Sequence, residues 1–128
     1  MQTIAIIGCG AIGEAVARYL NDQEDVEIAV AIIERGMDER AREVFGDDVE
    51  IAYEVDDVST DVDLAADCAG HPALRQHGAA LLGRGIDLVS VSSGALADAD
   101  LYAGLAAAAQ QGDAQLRVVS GAIGALDV

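Results

Sequence analysis

The residues whose types and spacing could do chemistry fall in a few short segments, and the first of them is the most informative. Gly8, Gly10 and Gly13 stand at G-x-G-x-x-G spacing, after the apolar run Gln2–Ile7 and at the start of a helical pattern. In a strand–turn–helix setting each glycine has its own task. Gly8 permits the tight turn out of the strand, Gly10 lets a pyrophosphate come close to the backbone, and Gly13 lets the helix lie near the strand. Ala11 and Ile12 open the helix, whose free N–H groups and positive dipole end would face the phosphates. The chemistry implied is the holding of a dinucleotide.

Glu34 stands 21 residues after Gly13, at the end of the second apolar run. A carboxylate there can accept hydrogen bonds from the adenine ribose hydroxyls, which favours NAD; the other reading is an exposed carboxylate at a strand end. Arg35 could pair with a 2′-phosphate, so NADP stays open. Cys68, Ala69, Gly70 and His71 form a third segment. His71 could touch a ribose or the nicotinamide amide, or serve as a solvated cap before Pro72. Ser92 and Ser93, within Ser92–Ala95, could bind cofactor or substrate, or cap the next turn. A last segment, Ser120–Gly124, contains Ala122. His77 reads as a mid-helix surface residue. The sequence offers no nucleophile–base pair, no metal-ligand cluster and no paired carboxylates at catalytic spacing, so no catalytic residue is assigned to this chain.

The elements that must position these segments alternate. Strands are expected at Gln2–Ile7, Val26–Ile33, Val49–Tyr53, Leu64–Cys68, Ile86–Val91 and Leu116–Val119. Helices are expected at Ala11–Asp22, Met37–Phe45, from Pro72 onward, and at Asp98–Gln111; Glu54–Asp61 reads as a short crossover or loop. In the first helix Ile12, Val16, Tyr19 and Leu20 mark the expected buried face, and Glu14 and Arg18 an exposed i,i+4 ion pair. In the last, Leu101, Leu105 and Ala108 share a face. Repeated strand–helix alternation implies an α/β fold, a doubly wound parallel sheet of Rossmann type in a single domain, with right-handed crossovers and strand order 3-2-1-4-5-6. Ligands of such sheets sit beyond the carboxyl ends of the strands, where all the segments above fall.

The 128 residues suit one dinucleotide-binding domain, over 1–128, and can bury about two-thirds of the surface of the unfolded chain. With no Trp and one Phe, the core must be Ala, Val, Ile and Leu. A net charge of −16, with seven basic residues that are all Arg, leaves no basic patch for nucleic acid. A lysine-free acidic surface also fits a high-salt source. No apolar run reaches the length of a membrane span, and Met1 leads straight into a strand, so a cytoplasmic protein is expected. Cys9 and Cys68 read as reduced, small apolar residues.

Together, Ile7–Gly13, Asp67-Cys68-Ala69-Gly70-His71, Ser92-Ser93-Gly94-Ala95-Leu96-Ala97-Asp98 and Ser120–Asp127 make the whole chain resemble the N-terminal half of L-aspartate dehydrogenase, whose relatives include the nucleotide domain of homoserine dehydrogenase. The resemblance implies oxidation of L-aspartate to iminoaspartate with NAD or NADP. The product would hydrolyse to oxaloacetate and ammonia or feed NAD biosynthesis. It implies that Ala122 contacts the cofactor and that the Cys68–His71 turn lies along the nicotinamide ribose. It also places the catalytic His in a second domain downstream, so this chain alone is expected to be inactive and the full-length protein a homo-oligomer. Asp67 stands where the family often has Glu, and Ser93 where it often has Val. The alternatives are a non-catalytic NAD(P)-binding redox sensor and a dehydrogenase of another amino acid such as homoserine.

Overall fold

The computed structural model of the chain describes residues 1–90 and 98–118. Six strands, β1 (Gln2–Ile7), β2 (Val26–Ile32), β3 (Glu50–Ala52), β4 (Leu64–Asp67), β5 (Asp87–Ser90) and β6 (Leu116–Val118), form one sheet in the order β3-β2-β1-β4-β5-β6. Every pairing is parallel. The helices are α1 (Ala11–Asn21), α2 (Asp38–Phe45), α3 (His71–Gly83) and α4 (Ala99–Gly112), with a 3-10 turn at Val55–Asp57 inside the expected crossover. The architecture and strand order are those the alternation implies. Most of the differences are a residue or two at element ends. His71 rather than Pro72 is the first helical residue of α3, and Asp98 caps α4 from outside by accepting from the Leu101 N–H at 3.0 Å.

Both faces of the sheet are covered, which is why the central strands read as unbroken apolar runs. On one face Ala5, Ile7, Val30, Ile32 and Leu88 pack with Leu74, Leu81 and Leu105 of α3 and α4. On the other, Ile4, Ile6, Ala31 and Ile33 meet Val16 and Leu20 of α1 and Ala41 of α2. Residues of opposite parity along β1 thus enter opposite cores, as the two-residue period of a strand requires.

Two sequence expectations are corrected by burial. The inner face of α1 is made by Gly13 and Ala17, flanked by Val16 and Leu20, whereas Ile12 and Tyr19 are exposed. The helix comes so close to β1 at Gly13 that a Cβ there would meet the Gly8 carbonyl, and Ile12 and Tyr19 turn outward while Val16 and Leu20 pack at the flanks. His77, expected on the surface, is 5% exposed. It shares with Leu74, Gly78 and Leu81 the side of α3 that faces the sheet.

Candidate functional site

The site is built where β1 ends. The Gly8 N–H donates to the Ile32 carbonyl at 2.9 Å, which holds the turn to the end of β2. Gly8 has φ of +100°, and a Cβ on it would lie 2.9 Å from the Ala69 Cβ, so both conformation and space demand glycine. A Cβ on Gly13 would lie 2.9 Å from the carbonyl oxygen of Gly8, the close approach of helix to strand. Gly10 is the opposite case: among the described residues nothing comes within 4 Å of where its Cβ would stand. Gly10 is the N-cap of α1, and among the described residues no side chain caps the first-turn N–H groups at the helix's positive end.

A cleft of about 340 Å³ opens beside this turn. Ile7, Ile32 and Ile33, all nearly inaccessible, form its base, and exposed Glu34 and Met37 stand at the rim. Cys68 and Ala69 line it directly beside Gly8, at the end of the neighbouring strand β4. Pro72, Ala73, Gln76 and His77 line it from α3. The volume is within the range of small-molecule sites. An apolar base, a glycine turn at a helix start that no described side chain caps and a carboxylate at the rim suit an adenosine phosphate.

Of the residues singled out from sequence, Gly8, Gly10, Glu34, Cys68 and Ala69 meet in this cleft. Ala11, Ile12 and Gly13 adjoin it as the first turn of α1. Arg35 turns elsewhere: its guanidinium sits 4.5 Å from the centre of the Tyr53 ring, whose hydroxyl donates to Asp38 at 2.6 Å. That hydrogen bond, burial and the Asp38 charge push the Tyr53 hydroxyl pKa up, so the ring stays neutral beneath the cation. His71 points Nε2 at the Asp98 carboxylate, 3.5 Å away, and Arg75 donates to the same carboxylate. The Leu101 N–H, with the nearby Arg75 charge, holds Asp98 below the usual carboxylate range. His71 therefore takes part in joining the starts of α3 and α4. Ser92, Ser93 and Ala122 lie outside the described residues.

The turn after β4 has an organiser that the glycine pattern does not reveal. Asp67, fully buried, accepts from the N–H groups of Ala69 and Gly70 at 3.0 and 3.2 Å and from the Ser90 hydroxyl at 3.0 Å. One carboxylate thus shapes the turn and links the ends of β4 and β5. Cys9 and Cys68 are buried free thiols. Burial, with help from Asp67, pushes the Cys68 thiol up to about 12, and burial also raises Cys9. Neither is a thiolate nucleophile at neutral pH. Among the described residues no three His, Cys, Asp or Glu side chains converge as metal ligands, and no helix is long and apolar enough to cross a membrane.

Residues 8–119 match the family model described as homoserine dehydrogenase, NAD binding domain. The chain belongs to this family of NAD-binding domains. The domain is 44% identical over 124 residues to L-aspartate dehydrogenase of Ruegeria pomeroyi, covering 97% of this chain and 44% of that protein. It is 42% identical over 130 residues to L-aspartate dehydrogenase of Ralstonia pickettii, covering 99% of this chain and 48% of that one. The chain thus spans about half the length of these curated relatives. Among solved structures, aspartate dehydrogenase from Thermotoga maritima superposes with a TM-score of 0.67 at 25% identity, over 99% of this chain and 49% of the other.

Sequence reasoning missed the part of this NAD-binding domain's cleft that comes from α3. Pro72, Ala73, Gln76 and His77 repeat at helical spacing, so the shared face was legible. What was not legible is that this face turns toward the cleft. Arg40, which reaches the glycine turn from α2, carried no local signal, since its partner Cys9 is 31 residues away in sequence.

Proposed function

We propose that this chain, over residues 1–128, is the cofactor-binding half of an NAD(P)-dependent L-aspartate dehydrogenase whose catalytic domain follows it. The observation that carries the reading is 44% identity to an L-aspartate dehydrogenase along 97% of the chain. The space beside Gly10, which no described residue enters within 4 Å of a Cβ position, supports it, since any side chain there would fill it. The reaction would oxidise L-aspartate to iminoaspartate, for hydrolysis to oxaloacetate and ammonia or for NAD biosynthesis. The full-length protein would be a cytoplasmic homo-oligomer.

In this reading the N–H groups from Gly10 into the first turn of α1 bind the pyrophosphate, and Glu34 accepts from the adenine ribose hydroxyls. Ile33, beside Glu34, gives the adenine an apolar wall and excludes water. The Cys68–His71 turn, held by Asp67, runs along the nicotinamide ribose, with Ser92, Ser93 and Ala122 nearby. A bound nicotinamide supplies the hydride acceptor. The chain's part in catalysis is orientation: it fixes the cofactor so that a substrate held by the second domain meets one face of the ring. The base that takes the substrate's proton belongs to that second domain, because His71 is engaged with Asp98.

The test is turnover by the full-length protein with L-aspartate, L-homoserine and a panel of other amino acids, followed by absorbance of the reduced cofactor. L-Aspartate should give the highest kcat/KM, and the 128-residue chain alone should give none. Preference for L-homoserine would move the substrate assignment to the enzyme named in the family model. Turnover by the isolated chain that is lost in His71→Ala would place the chemistry in this domain.

A further inference from the structure

Arg40 reaches across from α2 to the glycine turn, and its contacts are specific. Its Nε donates to the carbonyl oxygen of Cys9 at 3.1 Å, and one terminal nitrogen donates to Glu14 at 2.8 Å. The other lies 3.7 Å from the Glu43 carboxylate. Cys9 is the residue between the first two glycines of the turn, and Glu14 follows the third. Its N–H closes the first turn of α1 on the Gly10 carbonyl at 2.9 Å. One planar guanidinium therefore grips both sides of the phosphate-facing backbone, a task that its fixed fork of donors suits and that a lysine cannot reproduce.

Glu14 makes this grip necessary. A carboxylate in the first turn of a helix is favoured by the helix dipole, but here the same turn is to receive an anion. Glu14 is paired with Arg18 at 2.9 Å as well as with Arg40. The Arg40 hydrogen bond first, and the charges of the two arginines after it, hold its carboxyl below the usual range, so it is ionised at neutral pH. Arg18 is largely solvated, with 79% of its side chain exposed, and screens little; Arg40 is half as exposed.

We propose that Arg40 is a positioning residue for dinucleotide binding, which fixes the glycine turn through the Cys9 carbonyl and neutralises Glu14 beside the pyrophosphate. Two of its five N–H donors go to the Cys9 carbonyl and to Glu14, and through these contacts it acts on the turn. The inference rests on the cofactor-binding reading of the cleft.

The experiment measures NADH affinity of the full-length protein and of Arg40→Gln, Glu14→Gln, the double variant and Arg40→Lys by calorimetry, with thermal midpoints for each. Arg40→Gln should weaken NADH about tenfold or more, the scale of one lost charge-assisted hydrogen bond. Glu14→Gln alone should bind as tightly or more tightly, because a negative charge has left the phosphate's vicinity. The double variant should recover a large part of the loss. A purely structural Arg40 would show no such recovery, since removing its partner cannot repair a loosened fold. Arg40→Lys, which keeps the charge near Glu14 but loses the fork, should fall between wild type and Arg40→Gln; it carries the test if Arg40→Gln does not fold. Affinity of Arg40→Gln equal to wild type, or a loss that Glu14→Gln does not relieve, overturns the inference and leaves the cofactor reading standing. A wild-type protein that binds no NADH overturns the cofactor reading itself, and this inference with it.

Discussion

Placing the same side chain at two glycines three residues apart should produce opposite failures. At Gly10 the backbone is extended, with φ of −82° and ψ of −161°, a conformation open to any residue. A Cβ there meets nothing within 4 Å among the described residues. Gly10→Val therefore leaves the fold intact. Its stability cost is that of a poorer N-cap, about 1 kcal/mol, or about 4 °C in Tm for a domain of this size. The valine methyls would fill the space that a pyrophosphate must enter, so NADH affinity should fall at least about 100-fold, which is about 2.7 kcal/mol. At Gly13 the new Cβ would lie 2.9 Å from the Gly8 carbonyl oxygen, a backbone atom that cannot swing aside. The two γ-methyls add to this crowding. Gly13→Val should cost about 3 kcal/mol by overpacking, lowering Tm by roughly 10 °C. The assay pairs thermal unfolding with NADH calorimetry on both variants and wild type. NADH binding by Gly10→Val within threefold of wild type would refute the assignment of the pyrophosphate to this turn. A Tm for Gly13→Val equal to that of wild type would refute the packing argument.

Two further outcomes follow from the rim and the core. Glu34→Ser should shift the ratio of NADP to NAD affinity upward, because the carboxylate that repels a 2′-phosphate is gone while Arg35, stacked on Tyr53, stays nearby; unmodified protein should show a modest NAD preference, and a stronger affinity for NADP in wild type would contradict this weighting. His77 has its Nδ1 buried without a hydrogen-bond partner among the described residues, and burial lowers its pKa against the opposing pull of Glu54 and Asp67. The unfolded chain takes up this proton as pH falls through about 6.5 and the folded chain does not, so stability present above that pH is lost below it. Between pH 7.5 and 5.5 the Tm of wild type should therefore drop further than that of His77→Phe; equal drops would show that His77 is protonated equally in both states.

The sheet was legible because its signals are local. Each strand buried on both faces must be a short apolar run, and a parallel sheet requires a helix between neighbours, so alternation along the chain implies the order that the structure shows. The glycine turn was legible for the same reason: the demands on Gly8 and Gly13 come from backbone that is adjacent in the turn or follows the next strand of the sheet. The errors arose where tertiary distance decides. Tyr19 and Leu20 have equal claim to a buried face by helical period, but the closeness of α1 to β1 admits Ala17 and turns Tyr19 to solvent. His77 has a surface residue's polarity, yet α3 needs its whole inner face against β4 and β5. Arg40 and Asp67 act through partners that no spacing rule connects to them.

The charge balance gives these hidden residues their weight. A chain of net charge −16 that binds a dinucleotide must hold an anion against its own field. At ordinary ionic strength the Debye length is about 10 Å, so distant acidic groups are screened and only those near the phosphates matter. Within that radius the backbone N–H groups of α1 supply fixed partial positive charge without any side chain, which suits a chain with only seven basic residues. Glu14 is the carboxylate nearest in sequence to that helix start, and it is the one that carries two arginines. Glu34, at the rim, takes part in no ion pair among the described residues, as a carboxylate should that is to receive ribose hydroxyls and turn away a further phosphate. Glu14 and Glu34 thus differ by their pairing: the one that would oppose the cofactor is neutralised by two arginines, and the one that would select it has no ion pair among the described residues.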